Sequence, residues 1–119
     1  CTTSDMGQTW TEHSTSRKAL PEPVCMASFI RFSSTKDGDK EDILMFSNPA
    51  APNAPRRNMS IKLSFDEGNS WPSKNHTLYD YRDCFGYSCL SKINKQYVGV
   101  LYEGTRDLYF LRFKLDELK

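Results

Sequence analysis

A cation, a phenol and a carboxylate stand where strands of this sequence start or end. Arg56 or Arg57 opens one strand, Tyr87 opens the next after a glycine, and Glu103 closes the strand that follows. An arginine can grip a carboxylate through two parallel hydrogen bonds, and a phenol can act as a nucleophile once a base takes its proton. Each residue also has an ordinary explanation: a solvated edge arginine, a core tyrosine, a glutamate decorating a turn. Their joint placement raises the functional reading modestly and does not identify a reaction.

The elements that position these residues are organised around the stretch Ser64-Phe65-Asp66-Glu67-Gly68-Asn69-Ser70-Trp71. It reads as a strand end turning tightly into the next strand. Asp66 can accept hydrogen bonds from backbone N–H groups of its own turn, Gly68 can take a positive φ, and the hydroxyls of Ser64 and Ser70 can close the loop. Trp71 supplies an apolar anchor for the returning strand. The pattern occurs a second time as Thr3-Ser4-Asp5-Met6-Gly7-Gln8-Thr9-Trp10, 61 residues earlier. Recurrence of such a turn points to a repeated supersecondary unit.

Strands are expected near 24–32, 43–47, 57–65 and 70–78, making one four-stranded sheet, and near 87–93, 97–103 and 108–115, making three strands of another. Pro21 and Pro23 disfavour helix at the entry to the first. In the third, Met59, Ile61, Leu63 and Phe65 alternate with Ser60, Lys62 and Ser64, which predicts two distinct faces. Asn94-Lys95 predicts a two-residue turn. Consecutive four-stranded antiparallel sheets are the blades of a propeller, which takes roughly four to eight of them. About two are present, so open sheet edges need covering and the chain is expected to be part of something larger.

The 119 residues suffice for one domain. A hydrophobic content of 38%, with 13% aromatic residues, fits a folded β protein. A net charge of +1 provides no general attraction to nucleic acid, and no apolar run approaches membrane-spanning length. Cys25, in an apolar run, reads as a free buried thiol, while Cys84 and Cys89 are open to being bridged or free. No cysteine or histidine spacing suggests a zinc site, and His13 and His76 read as surface residues. Asn58-Met59-Ser60 and Asn75-His76-Thr77 match the short glycosylation pattern.

The two turns, known in this setting as Asp boxes, occur with Phe46-Ser47-Asn48-Pro49, Arg56-Arg57-Asn58-Met59-Ser60, Gly86-Tyr87-Ser88-Cys89-Leu90 and Val100-Leu101-Tyr102-Glu103. In order and spacing the whole chain resembles the C-terminal third of an exo-α-sialidase. That family includes bacterial, trypanosomal and animal lysosomal enzymes. The resemblance implies an all-β fold, a six-bladed β-propeller to which residues 1–119 contribute about two blades. It also implies hydrolysis of terminal sialic acid from glycoproteins, glycolipids or oligosaccharides by a retaining mechanism, in a secreted, periplasmic or lysosomal setting. No metal or other cofactor is called for.

By the same resemblance, Tyr87 matches the catalytic nucleophile, and Arg56, rather than Arg57, matches an arginine binding the sialic acid carboxylate. Glu103 matches the glutamate that fixes another arginine lying outside the chain. The residue types suit the task, because a carboxylate nucleophile would approach the substrate carboxylate against like charge, whereas a neutral phenol does not. Tyrosine-using sialidases are known exceptions to the two-carboxylate scheme of glycosidases. The family's acid/base aspartate, its tyrosine-activating glutamate and two further arginines have no counterparts here, and Glu22 is not assigned the activating role. The implied partner is therefore the N-terminal part of the same domain as a separate chain, and the 119 residues alone are expected to be inactive. Two readings compete: a non-catalytic Asp-box propeller binding glycans or proteins, and a free-standing β-sandwich, which would have to cap its own edges.

Overall fold

The computed structural model describes residues 1–119. Seven strands form: β1 (Ser28–Ser33), β2 (Ile43–Pro49), β3 (Met59–Ser64), β4 (His76–Asp80), β5 (Ser88–Lys92), β6 (Tyr97–Glu103) and β7 (Leu108–Lys114). There is no α-helix, only single 3₁₀ turns at Thr35–Asp37, Ser73–Asn75 and Leu115–Glu117. The strands make two antiparallel sheets, one in the order β1-β2-β3-β4 and one in the order β5-β6-β7. The division into four and three strands thus matches the expectation from the sequence.

Period-2 alternation sorts the side chains. Ile43 and Met45 of β2 and Met59, Ile61 and Leu63 of β3 face Leu90, Val98, Val100 and Tyr102 of the second sheet in one continuous core. Polar ties fasten the sheets across this seam: Ser28 Oγ accepts the Leu90 N–H at 2.8 Å, and Ser88 Oγ donates to the Ser47 carbonyl at 3.2 Å. At the end of β4, the buried Asp80 accepts from Tyr102 Oη at 2.9 Å and from Arg82 Nη2 at 2.7 Å. The Arg82 contact holds the Asp80 carboxyl down at about 2.

Both Asp-containing turns close as their residues dictate. Asp66 Oδ1 accepts the Ser70 N–H at 2.9 Å and the Ser64 hydroxyl at 2.7 Å, while Ser64 Oγ accepts the Gly68 N–H at 2.9 Å. Asp5 repeats this with Thr9 N–H at 2.9 Å and Thr3 Oγ1 at 2.8 Å. The tryptophans differ. Trp71 is 8% exposed, packed against Phe29 and Phe46 with ring centroids 6.3 and 6.1 Å away, whereas Trp10 is 63% exposed. The first turn hangs on a single Thr2–Thr11 bridge and has no sheet of its own beneath it.

Several expectations are corrected. The strand expected over 24–32 begins only at Ser28, because Val24 takes a left-handed φ of 56°. The strand expected over 70–78 starts late, after the Ser73–Asn75 turn. Asn94-Lys95 is not a two-residue turn: Ile93–Gln96 separate β5 from β6, with Asn94 Oδ1 accepting the N–H groups of Gln96 and Tyr97. Cys25 is half-buried, and all four cysteines are free thiols. His76 is half-buried rather than on the surface, with Nε2 3.0 Å from the Trp71 carbonyl, and burial lowers its pKa. Asn75 is 8% exposed, which closes that glycosylation sequence in the folded chain.

The second face of β3 is not solvated either. Lys62 is fully buried, its ammonium donating to Asn48 Oδ1 and lying 5.7 Å from the Phe46 ring centre. Burial lowers its pKa to about 8, against about 10.5 for a free lysine. Between these values the unfolded chain holds the proton that the folded chain has released, so stability rises with pH and the penalty is complete below 8. Relative to Lys62→Met, the protein should gain roughly 2–3 kcal/mol between pH 7.5 and 10 in denaturant titrations. A pH-independent difference between the two would mean that the ammonium is not desolvated.

Candidate active site

Asn58 sits at φ 60°, a left-handed conformation that asparagine tolerates better than most residues. Its carbonyl accepts the Ala50 N–H at 2.9 Å and the Ser60 hydroxyl at 2.8 Å, which fixes the kink just before β3. The preceding residue pair is thereby swung toward the segment 84–86. Arg56 O accepts the Cys84 N–H at 3.0 Å, and the guanidinium donates from Nη1 to Phe85 O at 2.8 Å and from Nη2 to Val24 O at 2.9 Å. Arg56 is half-buried and clamped at both ends, whereas Arg57 is exposed.

Tyr87 and Glu103 lie opposite each other, one step beyond the Ser88–Tyr102 pair of the β5–β6 ladder. Glu103 N–H donates to Tyr87 O at 2.9 Å, and Gly86 N–H donates to Glu103 O at 3.3 Å. The two side chains share a shallow cavity of about 210 Å³ with Met26, Leu101 and Leu108. The Arg56 guanidinium carbon is 5.4 Å from the Tyr87 ring centre, within cation–π range. The phenol is not buried, Tyr87 being 41% exposed. Neither Arg56 nor Glu103 belongs to an ion pair of the chain. The structure therefore gathers Arg56, Tyr87 and Glu103 at one set of strand ends.

Gly86 is what lets the three approach. It is buried at φ 89°, and a Cβ placed there would stand 2.7 Å from Pro49 Cγ, 3.2 Å from Cys25 Sγ and 3.3 Å from Arg56 Cδ. Two thiols flank the arginine. Burial raises Cys25, with Arg56 opposing that rise, and burial pushes Cys84 up to about 11. Both remain protonated near neutrality and are inert as nucleophiles. No three His, Cys, Asp or Glu side chains come together as metal ligands would.

One neighbour of the cluster was not legible as such. The Glu22 carboxylate accepts the Val24 N–H at 3.1 Å and the Cys25 N–H at 2.7 Å, holding the turn whose carbonyl meets Arg56. Valine is a poor residue for a left-handed position, so its type gives no warning of that turn.

No family model matches the chain. The chain is 48% identical over 103 residues to a sialidase of Bacteroides fragilis (strain YCH46), a match covering 87% of this chain and 19% of that protein. Among solved structures it resembles the Hadza microbial sialidase Hz136, with a TM-score of 0.85 and 43% identity, over 97% of this chain and 22% of that one. The chain belongs to the sialidase family and spans about a fifth of the length of the relatives it matches.

Proposed function

We propose that residues 1–119 are the C-terminal part of a six-bladed sialidase propeller and carry three of its active-site residues. Arg56 holds the carboxylate of a terminal sialic acid, Tyr87 is the nucleophile, and Glu103 orients an arginine supplied by the rest of the domain. The observation that carries this reading is the Arg56 guanidinium 5.4 Å from the ring of a solvent-open Tyr87, with Glu103 paired beside it.

In this mechanism a base from the N-terminal part takes the phenolic proton and Tyr87 Oη attacks the anomeric carbon. The glycosidic oxygen leaves with a proton from an acid on that same part. Water, giving its proton to the conjugate base of that acid, then enters from the face the leaving group vacated, opposite Tyr87, and breaks the tyrosyl–sugar bond. The phenolate takes back its proton, and two inversions retain the configuration. The guanidinium serves twice: it fixes the substrate carboxylate and keeps positive charge beside the forming phenolate. The open faces fit an incomplete propeller. The second sheet has one strand fewer than the first, and Leu101, Leu108 and Phe110 are exposed on it. The substrates are sialylated glycoproteins, glycolipids or oligosaccharides, met in a secreted, periplasmic or lysosomal compartment. No helix of the chain is long and apolar enough to cross a membrane.

The test is to trap the glycosyl–enzyme with a fluorinated sialic acid on the assembled domain and map the peptides by mass. An adduct on Tyr87 is expected. A protein that turns over sialosides yet carries no label on Tyr87 would refute the assignment, and a fully assembled domain that binds sialosides without turnover would make it a binding module.

A further inference from the structure

Arg56 is held by two backbone carbonyls, and one of them comes from a turn that valine does not favour. Val24 has a φ of 56°, where a β-branched side chain crowds its own backbone. Packing does not hold it there, since Val24 is 84% exposed. The grip comes from Glu22. Its Oε1 accepts the Val24 N–H at 3.1 Å and its Oε2 accepts the Cys25 N–H at 2.7 Å, so one carboxylate spans the turn and ties down both amides. The segment before it is anchored separately, because the Pro21 carbonyl accepts from Asn48 Nδ2 at 3.0 Å. With both amides fixed, the Val24 carbonyl is left facing Arg56 Nη2 at 2.9 Å.

We infer that Glu22 is a positioning residue for Arg56: its carboxylate holds the left-handed turn at Val24, and that turn aims the guanidinium. The inference rests on the substrate-binding role proposed for Arg56. Released from Glu22, the turn relaxes to a negative φ, its carbonyl leaves Nη2, and one of the two ties on the guanidinium is lost. The other, to Phe85 O at 2.8 Å, remains and leaves the arginine free to swing. Glu22 does not touch the phenol or the substrate in this scheme. Its effect should fall on substrate binding more than on turnover.

The test uses steady-state kinetics on a sialoside with the assembled domain, comparing Glu22→Ala, Val24→Gly, the double variant and Arg56→Ala. Glu22→Ala should raise KM about five- to tenfold with kcat changed by no more than about twofold, the signature of lost uniform binding. Glycine adopts positive φ without help, so adding Val24→Gly to Glu22→Ala should bring KM back to within about twofold of the unmodified protein. A purely structural role for Glu22 would not be rescued at a position whose side chain lies in solvent. An unchanged KM in Glu22→Ala, alongside a large rise in Arg56→Ala, overturns the positioning role and leaves the sialidase reading standing. A rise that Val24→Gly fails to rescue also overturns it, since the turn would then not be the link. No effect in Arg56→Ala removes the reading on which the inference rests.

Discussion

Tyr87→Phe in the assembled domain should lower kcat/KM for sialosides by roughly 10³-fold or more, nearly all of it in kcat, as expected for removal of a nucleophile. The substitution deletes one oxygen and keeps the ring. The phenylalanine face still lies against the Arg56 guanidinium, now 5.4 Å from the ring centre, so the anchor for the substrate carboxylate stays in place and KM should change by no more than about threefold. Stability should hardly move, since the ring is 41% exposed and its oxygen bonds to nothing within the chain. The measurements are initial rates, together with the fluorinated-sugar label, which should vanish from the peptide. Retained turnover near the original rate would exclude Tyr87 as the nucleophile. A loss shared equally between kcat and KM would point instead to a binding role.

Gly86→Ala should cost about 2–6 kcal/mol of stability, from roughly 1–3 kcal/mol for a positive φ on a residue with a Cβ and a similar amount for overpacking. The added methyl would meet Pro49 Cγ at 2.7 Å. That ring sits in β2, paired with Met59 of β3, and cannot swing aside as a long side chain would. The methyl would also press on Arg56 Cδ at 3.3 Å, so whatever protein folds should bind substrate more weakly. Gly38→Ala is the matched control. Its φ is 83°, yet nothing lies within 4 Å of the added methyl, leaving only the backbone cost. Denaturant titrations of the two variants should therefore differ by about 1–3 kcal/mol, the overpacking share. Equal losses would mean that the space around Gly86 can yield and that the glycine is there for its φ alone.

Much of the architecture was legible because it is written in local terms. The alternation of Met59, Ile61 and Leu63 marks one face of β3, and each Asp-containing turn closes through hydrogen bonds spanning no more than four residues. Tyr87 and Glu103 were legible as strand-end residues because the lengths of β5 and β6 and the loop between them set their pairing. The burial of Lys62 is something that period 2 does not reveal. Alternation separates two faces but does not say whether the second is wet, and here Asn48 and Phe46 of β2 cover it.

The residues by themselves determined the all-β class, the division into four and three strands, the two tight turns and a short list of polar strand ends. All of these depend on backbone preferences and side-chain periodicity within a few residues. Only the tertiary structure decided that Arg56 turns inward while Arg57 stays exposed, that Cys84 and Cys89 are free thiols, and that Glu22 grips the turn behind the arginine. The contacts of Arg56 join the segments near 24, 56 and 84–85 across 28 to 32 residues of chain, and a hydrogen bond such as that from Arg56 to Val24 or Phe85 leaves no periodic trace in either segment. It exists because two sheets share one core, and the packing of that core sets which strand ends meet.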